Sequence, residues 1–306
     1  MKNITDIQQL KEFDNLELLA KHIVEGFITG LHRSPFHGFS VEFAEHRIYN
    51  QGESTKHIDW KLYARTERLY IKRFEEETNL RSQIILDTSS SMLFPYQDKK
   101  LVSKLEFSIY TIAAMVYLLR KQRDAVGLTL FSDQIDLQTS SKLSFAHSQV
   151  LFSELDKLLK QKENLKKQTS IAHVLHQVSE SIHKRSLVII FSDLLSGDSE
   201  EELMSALQHL RYNKHEVILF HVTDKQQEQD FEFQNRPYKF IDLETGSVVR
   251  LNPADIKEDY RKFTKSFREN LKNKCGQYKI DLIEADINND FKEVLLPYLI
   301  KRGKLF

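Results

Sequence analysis

Short apolar runs alternate with helical patterns from about residue 83 to residue 302. The apolar runs are rich in β-branched residues and continuous, as in strands buried on both faces of a sheet. They span residues 83–87, 124–131, 135–138, 187–191, 216–222 and 279–284. Helical spacing is found at residues 100–121, 145–160, 170–183, 199–212, 253–273 and 291–302. This alternation predicts an α/β fold with a doubly wound, mostly parallel sheet that is flanked by helices.

The first 79 residues follow a different pattern. A helix is predicted near residues 16–31, whereas residues 32–77 are rich in charged and aromatic side chains without a clear apolar period. Because this segment is short and not very apolar, we expect it to pack on the sheet domain rather than fold alone. The sequence therefore predicts an N-terminal helix and loop-rich segment at 1–79, followed by the α/β domain at 80–306. Within that domain, the turn residues Glu244-Thr245-Gly246-Ser247 predict a hairpin.

Charge and composition exclude several classes of protein. The 306 residues contain 44 Lys+Arg and 44 Asp+Glu, and this balance disfavours nucleic acid, since phosphate binding needs a basic surface. The longest apolar run, about residues 109–119, is shorter than the roughly 20 residues of a membrane span. Cys275 is the only cysteine, so an internal disulfide is impossible. With no apolar signal region at the start, the sequence predicts a cytoplasmic protein without a membrane span.

Oxygen-bearing side chains follow two of the predicted strands and precede one predicted helix. The candidate ligands are Asp87, Ser89, Ser91, Thr169 and Asp193. Each alone has a structural explanation, since Ser and Thr cap helices and Asp is common in turns. Strand carboxyl ends meet at one edge of a parallel sheet, where ligands bind. Two carboxylates and three hydroxyls there suit Mg²⁺ or Mn²⁺ and leave a position that a partner's acidic side chain could fill.

Two alternatives to this metal site remain open. The first is a Mg²⁺-dependent phosphohydrolase with Asp87 as nucleophile, although such sites usually carry a second Asp where this chain has Ser89. The second is a sheet domain without a working site, whose N-terminal segment does the binding. In that segment Arg47, Asp59 and Arg65 are candidates for partner contacts or for a structural ion-pair network, and we favour the structural role. The glycine-rich phosphate-binding motifs of ATPases and dinucleotide-binding proteins are absent.

The five candidate ligands resemble the metal-ion-dependent adhesion site of von Willebrand factor A domains. Most of the chain, from about residue 32 to residue 302, resembles the domain of unknown function 58 family, whose members carry a von Willebrand A-like domain. The residues that carry this resemblance are Arg33-Ser34, Gly38, Glu42-Phe43, Arg47, Tyr49, Gly52-Glu53, Ile58-Asp59-Trp60, Ala64-Arg65, Asp124, Val126-Gly127-Leu128, Asp290-Phe291 and Tyr298. Two positions depart from the family pattern: Glu53 replaces the usual Asp, and Gln168 replaces the usual Gly before Thr169.

The resemblance also implies a partner, which composition and spacing do not. Members of this family are typically encoded beside MoxR-type AAA+ ATPases and are thought to act with them as chaperone-like or regulatory pairs. The resemblance thus implies a metal-dependent protein-binding protein rather than an enzyme. Its expected partner is a MoxR-type AAA+ ATPase, which could donate an acidic residue to the metal.

Overall fold

The computed structural model describes residues 15–30, 43–49, 58–74, 80–95, 101–160, 169–195, 197–289 and 294–298. The chain divides into two compact units, a smaller one within residues 33–79 and a larger one that contains the sheet. The end of the smaller unit coincides with the predicted boundary at residue 79. Helix α1 (Leu16–Gly30), which the sequence grouped with the N-terminal segment, belongs instead to the larger unit.

The smaller unit contains regular structure that the sequence did not predict. Strand β1 (Phe43–Ile48) pairs antiparallel with β2 (Tyr70–Phe74), and helix α2 (Trp60–Thr66) lies between them in the chain. Neither strand shows the alternation of apolar and polar residues on which strand prediction depends. A bulge between Phe43 and Glu45 interrupts the register further.

Six strands form the central sheet of the larger unit. In chain order the strands of this unit are β3 (Arg81–Asp87), β4 (Ala125–Phe131), β5 (Ile135–Gln138), β6 (Leu187–Ser192), β7 (Glu216–Thr223), β8 (Tyr238–Ile241), β9 (Val248–Leu251) and β10 (Asp281–Asp286). The spatial order of the central sheet is β10-β7-β6-β3-β4-β5, and only the pair β4–β5 is antiparallel. Strands β8 and β9 form the predicted hairpin as a separate two-stranded sheet.

Helices cover both faces of the central sheet. They are α3 (Lys104–Lys121), α4 (Phe145–Lys160), α5 (Ile171–Ser181), α6 (Glu200–Tyr212) and α7 (Pro253–Gln277). Ile85 of β3 packs in a buried cluster with α5, α6 and α7. Its neighbours Ile84 and Leu86 point to the other face, where α3 contacts β3, β4 and β7 and is itself covered by α1 and α4. The predicted fold class is therefore confirmed.

Two helix bounds differ from the prediction by a full turn, and one predicted helix is only partly described. Helix α3 begins at Lys104 rather than at residue 100, because Ser103 and Glu106 form a reciprocal capping box. Helix α7 continues to Gln277, beyond the predicted end at residue 273. The predicted helix at 291–302 is described, as helix, only at residues 294–298. None of the described helices is both long enough and apolar enough to cross a membrane.

A polar cluster lies inside the sheet at the join of β3 and β4. Gln83 Nε2 donates to Thr129 Oγ1 at 2.9 Å and to the Thr139 carbonyl oxygen at 3.2 Å. Gly127 makes room for this amide, since a Cβ atom there would lie 2.3 Å from Gln83 Oε1. Glycine is required at this position because the Gln83 amide and the Thr139 carbonyl oxygen occupy the space that a side chain would take.

The order of the strands creates a crevice beside β3. After β3 the chain continues to β4 on one side, whereas β6 pairs with the other side of β3. Strand order thus reverses between β3 and β6, and ligands of open α/β sheets bind at such a point, beyond the carboxyl ends of the strands. Asp87 ends β3 and Asp193 directly follows β6, so both carboxylates stand at this crevice.

Candidate functional site

Asp87 is fully buried at the end of β3, and both of its oxygens accept hydrogen bonds. The Ser89 backbone N–H donates to Oδ1 at 2.9 Å, and the Ser192 hydroxyl donates to Oδ2 at 2.7 Å. Burial, and then the nearby charge of Asp193, raise the pKa of Asp87 to about 6, while these hydrogen bonds act to lower it. A positive charge at the crevice would favour the ionised carboxylate.

The hydroxyls of Ser89 and Ser91 form a pair above Asp87. Their Oγ atoms are 3.0 Å apart, because a 3-10 turn at Ser90–Leu93 begins directly after Ser89. Ser89 is fully buried, and Ser91 is partly exposed to solvent. The turn thus presents two oxygen atoms together at the mouth of the crevice, as the predicted ligand set requires.

Asp193 forms a buried ion pair with Lys104, which is not among the predicted site residues. Lys104 Nζ lies 2.6 Å from Asp193 Oδ2 and 2.6 Å from Glu228 Oε1, and the Lys104 side chain is completely buried. Burial acts to lower the pKa of Lys104, but the charges of Asp193 and Glu228 raise it above its usual value. The Leu195 backbone N–H donates to the other oxygen of Asp193 at 3.1 Å. The position of Asp193 is therefore fixed from two sides.

Thr169 stands before α5 with a hydroxyl that lacks a partner. The residue is only 6% exposed, and its Oγ1 atom forms no hydrogen bond with any residue that the structure describes. The adjacent Ser170 is anchored to the loop after β4, since its backbone N–H donates to the Ser132 carbonyl oxygen at 3.2 Å. Because leaving a buried hydroxyl without a partner costs about 1–3 kcal/mol, this oxygen atom is a candidate ligand atom.

Glu244, in the turn between β8 and β9, brings a third carboxylate to the site. Burial, followed by the charges of Asp193 and Asp87, raises the pKa of Glu244 to about 7, whereas hydrogen bonding from the Ser91 side chain and the Thr169 backbone acts to lower it. Its Oε1 atom is buried and has no hydrogen-bond partner among the described residues. Glu244 therefore lies close enough to Asp193 and Asp87 for their charges to act on its carboxylate.

Hydrogen bonds connect Asp87 to Ser89 and Ser89 to Ser91, Asp193 lies close enough for its charge to act on Asp87, and three further residues are added to these surroundings. The additions are Ser192, Lys104 and Glu244. One sequence signal for Lys104 exists: a lysine at the first position of a helix opposes the helix dipole, so it needs a nearby acid. Ser192 and Glu244 carry no comparable signal, because their roles depend on contacts between residues far apart in the chain.

The donor set fits a hard divalent cation through its hydroxyl oxygens. No group of three His, Cys, Asp or Glu side chains is arranged to hold a metal within the described ranges, so a cation here would depend on Ser89, Ser91 and Thr169. The unpartnered Thr169 hydroxyl is the observation that supports this fit. Since the oxygens of Asp87 and Asp193 are already hydrogen-bonded, these two carboxylates would act through bound water or by charge.

The three candidates in the smaller unit have different surroundings. Asp59 caps helix α2, where its Oδ1 accepts hydrogen bonds from the backbone N–H groups of Lys61 and Leu62 at 3.0 and 3.1 Å. Arg65 is exposed in the same helix. The backbone of Arg47 pairs with Ile71 in β1 and β2, and its side chain lies outside the described part of the chain. Asp59 thus has a structural role, while partner binding by this trio stays a prediction.

The sheet order defines a doubly wound α/β protein, a class of fold in which ligands bind beyond the carboxyl ends of the strands. The chain belongs to the family described as "Protein of unknown function DUF58", which matches residues 45–270. The family that the sequence resembled is therefore confirmed. The metal-ion-dependent adhesion site implied by that resemblance stays a prediction.

Similar proteins include two mycobacterial relatives and two solved structures. "Uncharacterized protein Rv1480" of Mycobacterium tuberculosis is 19% identical over 305 residues, covering 99% of this chain and 92% of its own length. "Uncharacterized protein Mb1516" of Mycobacterium bovis is likewise 19% identical with the same coverage of 99% and 92%. BatB, a conserved hypothetical protein from Bacteroides thetaiotaomicron, is 14% identical with a TM-score of 0.45, covering 74% of this chain and 100% of that one. The VWA domain of SpRpn10 is 9% identical with a TM-score of 0.38, covering 74% of this chain and 95% of that one.

Proposed function

We propose that this chain is a metal-dependent protein-binding protein that holds Mg²⁺ or Mn²⁺ at the crevice between β3 and β6. The buried hydroxyl of Thr169, which has no hydrogen-bond partner among the described residues, carries this proposal. A cation at this point would supply the oxygen atom with a partner and would offset the mutual repulsion of Asp87 and Asp193. Ser89, Ser91 and Thr169 would ligate it directly.

The ligand types explain why the site would bind a protein partner. Hydroxyl oxygens are neutral, so they leave much of the positive charge of a cation uncompensated. When bound, the cation would attract an acidic side chain to its remaining position. Lys104 holds Asp193 in place beside the crevice through their buried ion pair.

We propose a MoxR-type AAA+ ATPase as the partner, with this chain acting as its adaptor or chaperone-like component. Support comes from membership of the family, for which such pairs are expected. The partner would donate an acidic residue to the cation. The expected location is the cytoplasm, and a co-purification with and without a chelator tests the partnership: a chelator should release the ATPase.

The phosphohydrolase alternative needs Asp87 to attack phosphorus. Asp87 is fully buried, and both of its oxygens accept hydrogen bonds, whereas a nucleophile needs an accessible oxygen. Hydrolysis of p-nitrophenyl phosphate with Mg²⁺, lost in Asp87→Asn, would favour this alternative. We therefore propose binding rather than hydrolysis.

Titration calorimetry with MnCl₂ tests the metal site directly. We expect one bound cation per wild-type chain and an affinity at least about tenfold lower in Asp87→Asn, which corresponds to about 1.4 kcal/mol. Asp156→Asn is the matched control, since Asp156 pairs with Lys160 on the outer helix α4; its affinity should equal that of the wild type. Absence of cation binding in the wild-type chain would refute the proposal.

A further inference from the structure

The turn between β8 and β9 is built to hold Glu244 in one place. Asp242 Oδ1 accepts a hydrogen bond from the Glu244 backbone N–H at 2.8 Å, and Asp242 Oδ2 accepts one from Thr245 Oγ1 at 2.5 Å. Gly246 adopts a positive φ of 75°, and its N–H donates to the Asp242 carbonyl oxygen at 2.8 Å. These contacts define the backbone conformation on either side of Glu244, so its side chain leaves the turn in a fixed direction.

The base of the hairpin is anchored by aromatic side chains. Phe240 of β8 stacks on Phe231 at 5.8 Å between ring centroids, and Phe231 in turn lies 4.4 Å from Tyr260 of α7. The outer residues of the hairpin remain exposed, with Val248 and Val249 about half accessible to solvent. The hairpin is thus fixed at its base, while side chains at its outer end remain exposed to solvent.

We propose that Glu244 is an internal carboxylate ligand of the cation site, and that an acidic side chain of a protein partner binds there by replacing it. The inference rests on the proposed function, since it needs a cation at the crevice. Glu244 would fill the coordination position that the three hydroxyls leave open. A carboxylate of the partner would compete with Glu244 for that position on the cation.

Three observations support this assignment. Hydrogen bonding from the Ser91 side chain and the Thr169 backbone acts to lower the pKa of Glu244, which places this carboxylate near two of the predicted ligands. Its Oε1 and the Thr169 Oγ1 are both buried atoms without a hydrogen-bond partner in the part of the chain that is described. The charges of Asp193 and Asp87 also act on Glu244 and raise its pKa; a cation at the crevice would offset this repulsion.

The arrangement predicts which partner chemistry can compete. Glu244 reaches the site from a surface turn, so a replacement must also be a carboxylate that projects from a loop or a chain end. A neutral or basic side chain would leave the cation with fewer anionic ligands and would be rejected. Displacing the turn would leave the central sheet intact, because β8 and β9 pair only with each other.

Mn²⁺ affinity and acetate rescue test the inference. We expect Glu244→Ala to bind Mn²⁺ at least about tenfold more weakly than the wild type, the loss typical of a damaged metal site. Millimolar acetate should restore the affinity of Glu244→Ala by supplying the missing carboxylate, and it should leave the wild type unchanged. Glu232→Ala is the matched control, since Glu232 is exposed and lies just before the same hairpin. Circular dichroism melts establish that each variant is folded, and Glu244→Gln provides a variant of nearly the same shape.

The outcomes separate this inference from the proposed function. If the wild type binds Mn²⁺, Asp87→Asn weakens binding and Glu244→Ala does not, the internal ligand is refuted and the metal site stands. If Glu244→Ala binds weakly and acetate gives no rescue, replacement by an external carboxylate is refuted. If the wild-type chain binds no Mn²⁺, both proposals fail together.

Discussion

Lys104 Nζ lies 2.6 Å from Asp193 Oδ2, and both side chains are almost completely inaccessible to solvent. The lysine begins α3 and the aspartate follows β6, so this ion pair connects one face of the sheet to the crevice at its edge. Glu228 accepts a second hydrogen bond from the same ammonium group at 2.6 Å. The buried ammonium group of Lys104 therefore holds two carboxylates in place, and one of them, Asp193, belongs to the predicted metal site.

Replacing Lys104 by Met should strongly destabilise the fold. The change would leave Asp193 and Glu228 buried without their cation, and breaking a buried pair in this way typically costs about 3–5 kcal/mol. Urea denaturation measures this loss. Lys157→Met is the control, because Lys157 pairs with Glu154 at an exposed position, and such pairs contribute about 1 kcal/mol or less. Equal effects of the two variants would contradict the role given to Lys104.

Replacing Thr169 by Val should have opposite effects without and with a cation. In metal-free buffer the variant should unfold with a free energy about 1 kcal/mol higher than that of the wild type, because a buried hydroxyl without a partner is removed. With saturating Mg²⁺ the wild type should gain stability through binding, and Thr169→Val should gain less. Thermal melts with and without MgCl₂ measure both differences.

Thr129→Val provides the comparison for that result. The Thr129 hydroxyl accepts a hydrogen bond from buried Gln83 Nε2 at 2.9 Å, so its removal should cost about 1–3 kcal/mol whether or not metal is present. A loss of stability in metal-free Thr169→Val similar to that in Thr129→Val would mean that the Thr169 hydroxyl already has a partner.

Alanine at two glycine positions should change stability in opposite directions. Gly127→Ala would place a Cβ atom 2.3 Å from Gln83 Oε1 and 2.7 Å from the Thr139 carbonyl oxygen, and such overpacking costs about 1–3 kcal/mol. Gly276 lies in α7 with open space around it, so Gly276→Ala should stabilise the chain by up to about 1 kcal/mol. Chemical denaturation of both variants measures the signs, and destabilisation by Gly276→Ala would contradict the described surroundings.

Cys275 should be unreactive in the folded protein at pH 8. Burial raises the pKa of Cys275 to about 11, so roughly one thiol in a thousand is ionised at this pH, and the thiolate is the reactive form. In the unfolded chain the pKa returns to its usual value. Reaction with Ellman's reagent at pH 8 should therefore be slow in buffer and fast in denaturant, and rapid reaction in buffer would contradict the burial of this side chain.

The raised pKa of Cys275 makes the free energy of unfolding depend on pH. The folded state keeps the Cys275 proton up to about pH 11, whereas in the unfolded state this thiol has its ordinary pKa of 9.0. Above pH 9 the unfolded state therefore binds fewer protons, so this thiol lowers stability as the pH rises towards 11. Cys275→Ala should show a shallower decline than the wild type over this range in urea denaturation, and identical slopes would contradict the assigned shift.

The sheet and part of the site could be predicted because their signals are local. Continuous apolar runs such as residues 187–191 identify buried strands, and a carboxylate at the end of such a run is placed by the geometry of a parallel sheet. Asp87 and Asp193 needed no knowledge of distant contacts. The same reasoning did not predict β1 and β2, since their register includes a bulge and their residues do not alternate.

Glu244 and Lys104 show what local patterns leave out. The sequence identified Glu244 only as a turn residue of a hairpin, which is correct, but nothing in a turn indicates which part of the fold it contacts. Lys104 was included in a helix predicted to begin four residues earlier, so its place in the first turn, against the dipole, was not apparent. Recognising the capping box of Ser103 and Glu106 would have located it.

The hairpin of β8 and β9 shares no backbone hydrogen-bond ladder with the central sheet. Its turn can therefore leave the crevice without opening any pair of strands in that sheet, and the energetic barrier is limited to the contacts of the hairpin itself. Motions of this kind take microseconds to milliseconds, whereas global unfolding of a domain is commonly far slower. We therefore expect the carboxylate of a bound partner to replace Glu244 within microseconds to milliseconds.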